Sequence, residues 1–268
     1  MWLYLAVLVV LYYLLRWSRE RQLVSHLQNK IIFITGCDSG FGNQLARQLD
    51  LRGLRVLAAC LTEQGAKQLR NQTSDRLQMV ILDVTKTDSV AAATEWVEEH
   101  VGDRGLWGLV NNAGILLPAV PNEWLTKDDF SKILNVNLIG LIEVTLSFCP
   151  LIRKTRGRVV NVSSPAGRVS LFGSGYCISK YGVEALSDSL RELSHFGIRV
   201  VLIVPGKYKT SVSLTICRIY SRRSGVHPSL TAVDPRIRYS VGWDSKCFTF
   251  ALSYLPISVA DFILCHIL

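Results

Sequence analysis

The 268 residues, 49% of them hydrophobic, are enough for one large buried core and leave no room to expect a second full domain. Only 19% are charged, against roughly 25% in soluble domains, and the mean hydropathy of +0.26 predicts that some surface meets lipid or an apolar ligand. The net charge of +9 would suit nucleic acid, but Lys and Arg are scattered without a basic run or interleaved aromatics, so nucleic-acid binding is set aside. Seven cysteines, odd in number and without CxxC or Cys/His spacing, argue against a disulfide framework or a metal site and suit a reducing compartment.

The chain opens on an apolar run, Met1–Leu15, followed at once by Arg16, Arg19 and Arg21 and lacking a small-residue cleavage pattern, which predicts an uncleaved membrane anchor over residues 1–17. The run is shorter than the ~20 residues of an upright span, so a short or tilted span or an interfacial helix is expected; if it spans, the arginines predict that the body faces the cytosol. From Lys30 short apolar runs alternate with amphipathic stretches, the rhythm of βαβ units. Strands are expected at Ile31–Thr35, Arg55–Cys60, Gln78–Asp83, Gly108–Asn111, Arg158–Ser163 and Arg199–Val204. Helices are expected at Phe41–Arg52 (ended by Gly53), Gln64–Asn71, Ser89–His100 with Asp88 as N-cap, Phe130–Ile152 and Tyr176–His195. Six such strands predict an α/β fold, a doubly wound parallel sheet of Rossmann-like type in one domain, with ligands beyond the carboxyl ends of the strands.

The motifs fall at those ends. After the first strand stands Thr35-Gly36-Cys37-Asp38-Ser39-Gly40-Phe41-Gly42, a glycine turn entering a helix, where backbone can approach a pyrophosphate and unpaired N–H groups can receive it. Asp83-Val84 follows the third strand and Asn111-Asn112-Ala113-Gly114 the fourth, both suited to holding an adenine or bracing neighbouring loops. Ser163-Ser164 follows the fifth, and Tyr176 and Lys180 lie one helical turn apart, so that the ammonium can lower the phenol's pKa and make Tyr176 a usable acid/base. A serine hydroxyl can bind the substrate oxygen, and Asn137 can hold a water that relays protons to Lys180.

This ordered set, with Pro205-Gly206, resembles the short-chain dehydrogenase/reductase superfamily from about Lys30 to Thr210. Gly36–Gly42, Gly105–Val110, Gly167–Ser170 and the anchor resemble its microsomal retinol and 3α-hydroxysteroid dehydrogenase branch. The resemblance implies Tyr176 as acid/base and Lys180 on the nicotinamide ribose. Ser164 would orient the substrate, with Ser163 as the adjacent alternative, and Asn137 would support the relay. The cofactor would lie on Thr35, Gly36, Ser39, Gly40, Phe41, Gly42, Asp83, Val84, Asn112, Ala113, Gly114, Lys180, Pro205, Gly206 and Thr210. It implies a lipophilic alcohol, a retinoid or a steroid, as substrate, an endoplasmic reticulum membrane, and pairing into a homodimer through the helices around Phe130–Ile152 and Tyr176–His195. NAD is favoured over NADP, because Ser39 rather than a base precedes Gly40, Asp38 adds negative charge, and the second strand ends in Cys60-Leu61-Thr62.

Beyond Thr210 the resemblance falters. Residues 211–268 are expected to form a divergent, shortened substrate cap and an apolar tail, Tyr254–Leu268, with the resemblance returning at Asp234–Asp244; Lys207 stands where relatives carry an aromatic. A nucleotide-binding, catalytically poor interaction partner of active relatives is the competing expectation. A purely structural membrane adaptor would lack nucleotide binding altogether.

Overall fold

The computed structural model describes residues 2–116, 121–170, 175–206 and 226–241. The strands are β1 (Ile31–Ile34), β2 (Arg55–Cys60), β3 (Gln78–Ile81), β4 (Gly108–Asn111), β5 (Arg158–Val162), β6 (Arg199–Pro205) and β7 (Arg238–Val241). They form one sheet in the order β3-β2-β1-β4-β5-β6-β7, and every pairing is parallel. The chain moves outward from β1 in one direction and then outward from β4 in the other, which opens a crevice between the carboxyl ends of these two strands.

Helices cover both faces of the central strands, so β1 (Ile31–Ile34) is apolar and buried at every position rather than alternating. The two-residue period sends Ile32 and Ile34 of β1 to one face, where they meet Leu45, Ala46 and Leu49 of α2 (Gly40–Leu51) and Leu69 of α3 (Glu63–Arg70). Ile31 and Phe33 go to the other face. They join Val90, Ala93 and Val97 of α4 (Thr87–Val101), with Val144, Phe148 and Ile152 of α6 (Gly140–Thr155), and the rings of Phe33 and Phe148 stack at 4.7 Å. The continuous run Lys127–Thr155, made of α5 (Lys127–Leu134), a π-helical turn (Asn135–Ile139) and α6, is long and apolar enough to cross a membrane. Its buried Ile133, Val144, Phe148 and Ile152 make it a core element instead.

Four local expectations change. The sheet has seven strands, not six: the short Arg238–Val241 adds to β6 through Leu202↔Arg238 and Pro205↔Val241. Asp88 is not the cap of α4; the helix starts at Thr87 after Lys86, and the hydroxyl of Ser89 is taken by the Asp83 N–H. Phe130–Ile152 is not one regular helix, because the wider π turn intervenes. The helix α7 (Gly175–Ser189) tightens to a 3₁₀ segment over Leu190–Phe196. Gly53, at φ 81°, does end α2. The buried amide of Asn161 accepts from Asn111 and donates to Ser187, so β5 is tied to β4 and α7 inside the core.

The helix α1 (Trp2–Arg21) has 20 residues, and its described side chains from Tyr4 to Leu15 are exposed. After it the chain is tied to the segment carrying α8 (Val226–Thr231): Val24 N–H donates to Thr231 and Val233 N–H to Gln22. That segment is fixed beneath the sheet by buried Arg158, whose guanidinium donates to the carbonyls of Ser229 and Ala232 and lies 4.5 Å from the Trp107 ring centroid.

Candidate active site

The turn from β1 to α2 is shaped by a close contact that only glycine permits. Gly36 has φ 70°, and a Cβ there would stand 2.7 Å from the Ala113 Cα, so the turns after β1 and β4 touch backbone to backbone. Thr35 stitches the same pair: its hydroxyl accepts from the N–H groups of Asn112 and Ala113, while the Asn112 amide donates to the carbonyls of Thr35 and Gly36. Gly40, φ 61°, faces open space at the start of α2, and Ser39 at the N-cap makes no side-chain capping bond. An open backbone cradle over a helix N-terminus fits a pyrophosphate.

Asp38 occupies a place that sequence order hid. Its carboxylate accepts from Leu61 N–H at 2.7 Å, Thr62 N–H at 2.9 Å and the Thr62 hydroxyl at 2.7 Å. The glycine turn therefore delivers a carboxylate to the end of β2, where that strand's own residues supply none. Asp83, after β3, is held below the usual carboxylate range chiefly by the Thr85 hydroxyl, with Lys86 at 3.4 Å. Val84 is buried beside it, and its carbonyl is pressed against Gly140 at the start of α6.

Asn137 lies fully buried in the π turn. Its side-chain N–H groups go to the Ile115 carbonyl and the Ser179 hydroxyl, and its oxygen accepts from the Ile115 N–H at 2.8 Å. The π turn thus aims this amide at the loop after β4, setting Gly114 and Ile115 against α7. One amide N–H is spent on that loop and the other on α7.

Tyr176 and Lys180 share the inner side of α7 with a lysine Nζ to ring-centroid distance of 5.7 Å. The Lys180 ammonium donates to the Val162 carbonyl at 2.9 Å, and burial pushes its pKa down to about 8. The pKa of Tyr176 departs from the expectation of a lowered value. Burial of the phenol raises it, a hydrogen bond with Ser164 offsets part of the rise, and Lys180 is turned onto the Val162 carbonyl. The serine pair splits by alternation at the end of β5: Ser164 faces Tyr176, whereas Ser163 is buried beside Glu184. Pro205 and Gly206 end β6 against Val241. Thr210, Lys207, the cap residues 211–225 and the tail Tyr254–Leu268 lie outside the described residues.

Sequence reading missed an ion cluster behind this site, formed by Arg168, Glu184 and Arg238. Arg168 and Glu184 donate and accept at 2.8 Å, and Arg238 reaches the same carboxylate oxygen at 2.7 Å. Its signal was the return of the family pattern around Arg238, beyond the divergent segment. Among the described residues Cys37, Cys60 and Cys177 are buried, and burial pushes the Cys60 thiol up to about 12, as suits core cysteines.

Residues 30–217 match the family model for short chain dehydrogenase. The chain is 58% identical to retinol dehydrogenase 16 of Mus musculus, with 98% of this chain and 96% of that protein covered. It is 56% identical to 17-beta-hydroxysteroid dehydrogenase type 6 of Homo sapiens over the same shares. The mouse alignment runs over 306 positions, whereas 98% of 268 residues is about 263, so the relative carries roughly 43 residues that this chain lacks within the aligned span. Among solved structures, a short-chain dehydrogenase from Streptomyces avermitilis superposes with a TM-score of 0.71 at 24% identity, covering 87% of this chain and 94% of that one. An alcohol dehydrogenase from Thermococcus sibiricus, complexed with 5-hydroxy-NADP, superposes at 0.61 with 26% identity, covering 68% and 77%.

Proposed function

The chain belongs to the short-chain dehydrogenase family, and from that premise we propose that it is a membrane-anchored dehydrogenase that interconverts a lipophilic alcohol, a retinol or a hydroxysteroid, and its carbonyl. The observation that carries this reading is the meeting of Tyr176, Lys180 and Ser164 beside the glycine turn. A nicotinamide cofactor, when bound, accepts the hydride of the carbinol carbon. Ser164 holds the substrate oxygen next to the Tyr176 side chain, which as the phenolate takes the hydroxyl proton during oxidation and as the phenol gives it back during reduction. Lys180 places a cation within the same buried pocket, and Asn137 fixes the loop on which Gly114 and Ile115 line the crevice. The glycine turn, Asn112, Ala113 and the Asp83-Val84 corner hold the dinucleotide. The experiment that tests this reading is NADH formation from NAD and all-trans-retinol or a 3α-hydroxysteroid.

NAD is the preferred cofactor in this reading. Asp38 spends three of about four acceptor positions on Leu61 and Thr62, which leaves one for a ribose hydroxyl and sets a negative charge against a 2′-phosphate. Asp38→Asn keeps the side-chain shape and is expected to raise the NADP-to-NAD ratio of kcat/KM by about tenfold, the worth of one close charge contact. An unchanged ratio would remove Asp38 from cofactor selection.

The helix α1 supports anchoring. Its 20 residues carry an apolar run up to Leu15 that ends in Arg16, Arg19 and Arg21; a run of that length suits a tilted span or an interfacial helix, and if it spans, the arginines favour a body on the cytosolic side. The full chain is expected to stay with carbonate-washed membranes and a chain lacking residues 1–21 to enter the supernatant with NAD binding intact. Finding the full chain in the supernatant would refute the anchor. The roughly 43-residue deficit against retinol dehydrogenase 16 favours one second reading, a chain that binds NAD but turns over alcohol poorly.

A further inference from the structure

Behind the catalytic helix lies a buried carboxylate that the reaction does not use. Glu184 stands one turn beyond Lys180 on α7, and it is 6% exposed. One of its oxygens takes both guanidinium groups, Arg168 at 2.8 Å and Arg238 at 2.7 Å. Among the described residues its other oxygen has no hydrogen-bond partner, and the Ser163 hydroxyl stands beside the carboxylate outside ordinary hydrogen-bonding geometry. Asp188 and Tyr181 complete its titratable surroundings.

An arginine–glutamate–arginine group of this kind is a poor choice for stability alone, since desolvating the charges offsets their attraction and apolar side chains of similar volume serve as well or better. What the group does have is reach, because its three members come from three different pieces of chain. Arg168 ends the turn that starts at Ser164. Glu184 belongs to the helix that carries Tyr176 and Lys180. Arg238 lies on β7, the strand that follows the divergent segment.

The turn is clamped on α7 at consecutive points. The Tyr181 hydroxyl donates to the Arg168 carbonyl at 2.6 Å, and a Cβ on Gly167 would be 2.8 Å from both the Lys180 carbonyl and the Ser163 hydroxyl. Ser164 accepts from the Ala166 N–H within the same turn. The direction of the Ser164 hydroxyl is therefore fixed by how this turn seats on α7, and Glu184 binds the seat to the outer strand.

We propose that Glu184 is a positioning residue for the reaction: with Arg168 and Arg238 it holds the Ser164 turn and β7 against the catalytic helix and so sets the hydrogen bond between Ser164 and Tyr176. This rests on the catalytic reading of Tyr176 given above. It also assigns a use to β7, which lies away from the chemistry.

Among the described residues, Cys177 and Lys180 from its own helix are titratable groups facing Tyr176, and Ser164 from the turn hydrogen-bonds it. Loss of the Ser164 bond raises the phenol's pKa, whereas loss of the Glu184 charge alone would lower it or leave it unmoved. The sign separates positioning from charge. The test is the tyrosinate absorbance titration of the full chain in detergent with saturating NAD, Tyr176 being isolated as the difference from the matching Tyr176→Phe protein.

In Glu184→Gln the Tyr176 midpoint is expected to move up by about one pH unit, with NAD affinity unchanged. Arg238→Lys keeps its charge but loses the planar fork, and is expected to move the midpoint up by a smaller amount; it also guards against a glutamine variant that fails to fold. A midpoint that stays or falls in whichever of the two variants folds overturns the proposal. A Tyr176→Phe chain that still oxidises alcohol would sink the catalytic reading and leave the titration result standing.

Discussion

Replacing Tyr176 by Phe is expected to lower kcat for alcohol oxidation by about 10³-fold, within the usual worth of a positioned acid/base, while NAD binding is retained. Phenylalanine keeps the ring on α7 and removes only the proton carrier. The pH dependence follows from the same group. Burial raises the Tyr176 pKa and the Ser164 bond only partly offsets that rise, so the phenol is protonated at neutral pH. The base form needed for oxidation grows about tenfold with each pH unit below its midpoint, and wild-type oxidation should climb with it into the alkaline range. Carbonyl reduction, which needs the protonated phenol, should hold through neutrality and fall above the same midpoint. A Tyr176→Phe protein that keeps the alkaline climb would move the titrating group elsewhere.

The second large effect is expected at Gly36. Gly36→Ala would put a methyl 2.7 Å from the Ala113 Cα at φ 70°, a backbone clash that no side-chain rotation relieves. The turns after β1 and β4 must then part, which breaks the Thr35–Asn112–Ala113 stitching and opens the cradle. NADH affinity, read by fluorescence titration, should weaken by about 10²-fold, the worth of losing two or three hydrogen bonds at ~1 kcal/mol each. Gly53→Ala is the control. It also has a left-handed φ, 81°, but its new methyl meets nothing nearer than 3.8 Å and lies at the end of α2 away from the cradle. It should cost only the ~1–2 kcal/mol of left-handed strain and leave NADH affinity alone. Equal losses at both positions would show that the damage is general instability.

The two cases also show what sequence can and cannot reveal. The central strands were readable because a strand covered on both faces is apolar at successive positions, as Ile31–Ile34 and Val200–Val204 are. The seventh, Arg238–Val241, was not, since an edge strand of four residues with Arg and Ser carries no hydrophobic run. The glycine turn was legible as a string, but the meeting of Gly36 with Ala113 is a contact across 77 positions. Asp38 was visible as a charge near the turn, whereas its arrival at Leu61 and Thr62 depends on how the turn folds back over β2.

Within the site, helical spacing brought Tyr176 and Lys180 to one side of α7 but said nothing of burial, which turns the Tyr176 shift upward. The choice between Ser163 and Ser164 also needed coordinates, because both leave the same strand and only one reaches the phenol. Asn137 was legible as a site residue, although the π turn that aims its amide at Ile115 was not. Glu184 carries no motif of its own, and only the fold brings Arg168 and Arg238 onto it.

The central claim is that the chain oxidises a lipophilic alcohol despite carrying roughly 43 fewer residues than retinol dehydrogenase 16 across their alignment. Its most direct test is NADH fluorescence from membranes bearing the full chain, given NAD and either all-trans-retinol or a 3α-hydroxysteroid. NADH formation that depends on the alcohol is the result expected here; a chain that binds NAD yet forms no NADH with either alcohol would contradict it and leave a nucleotide-binding protein without this catalysis.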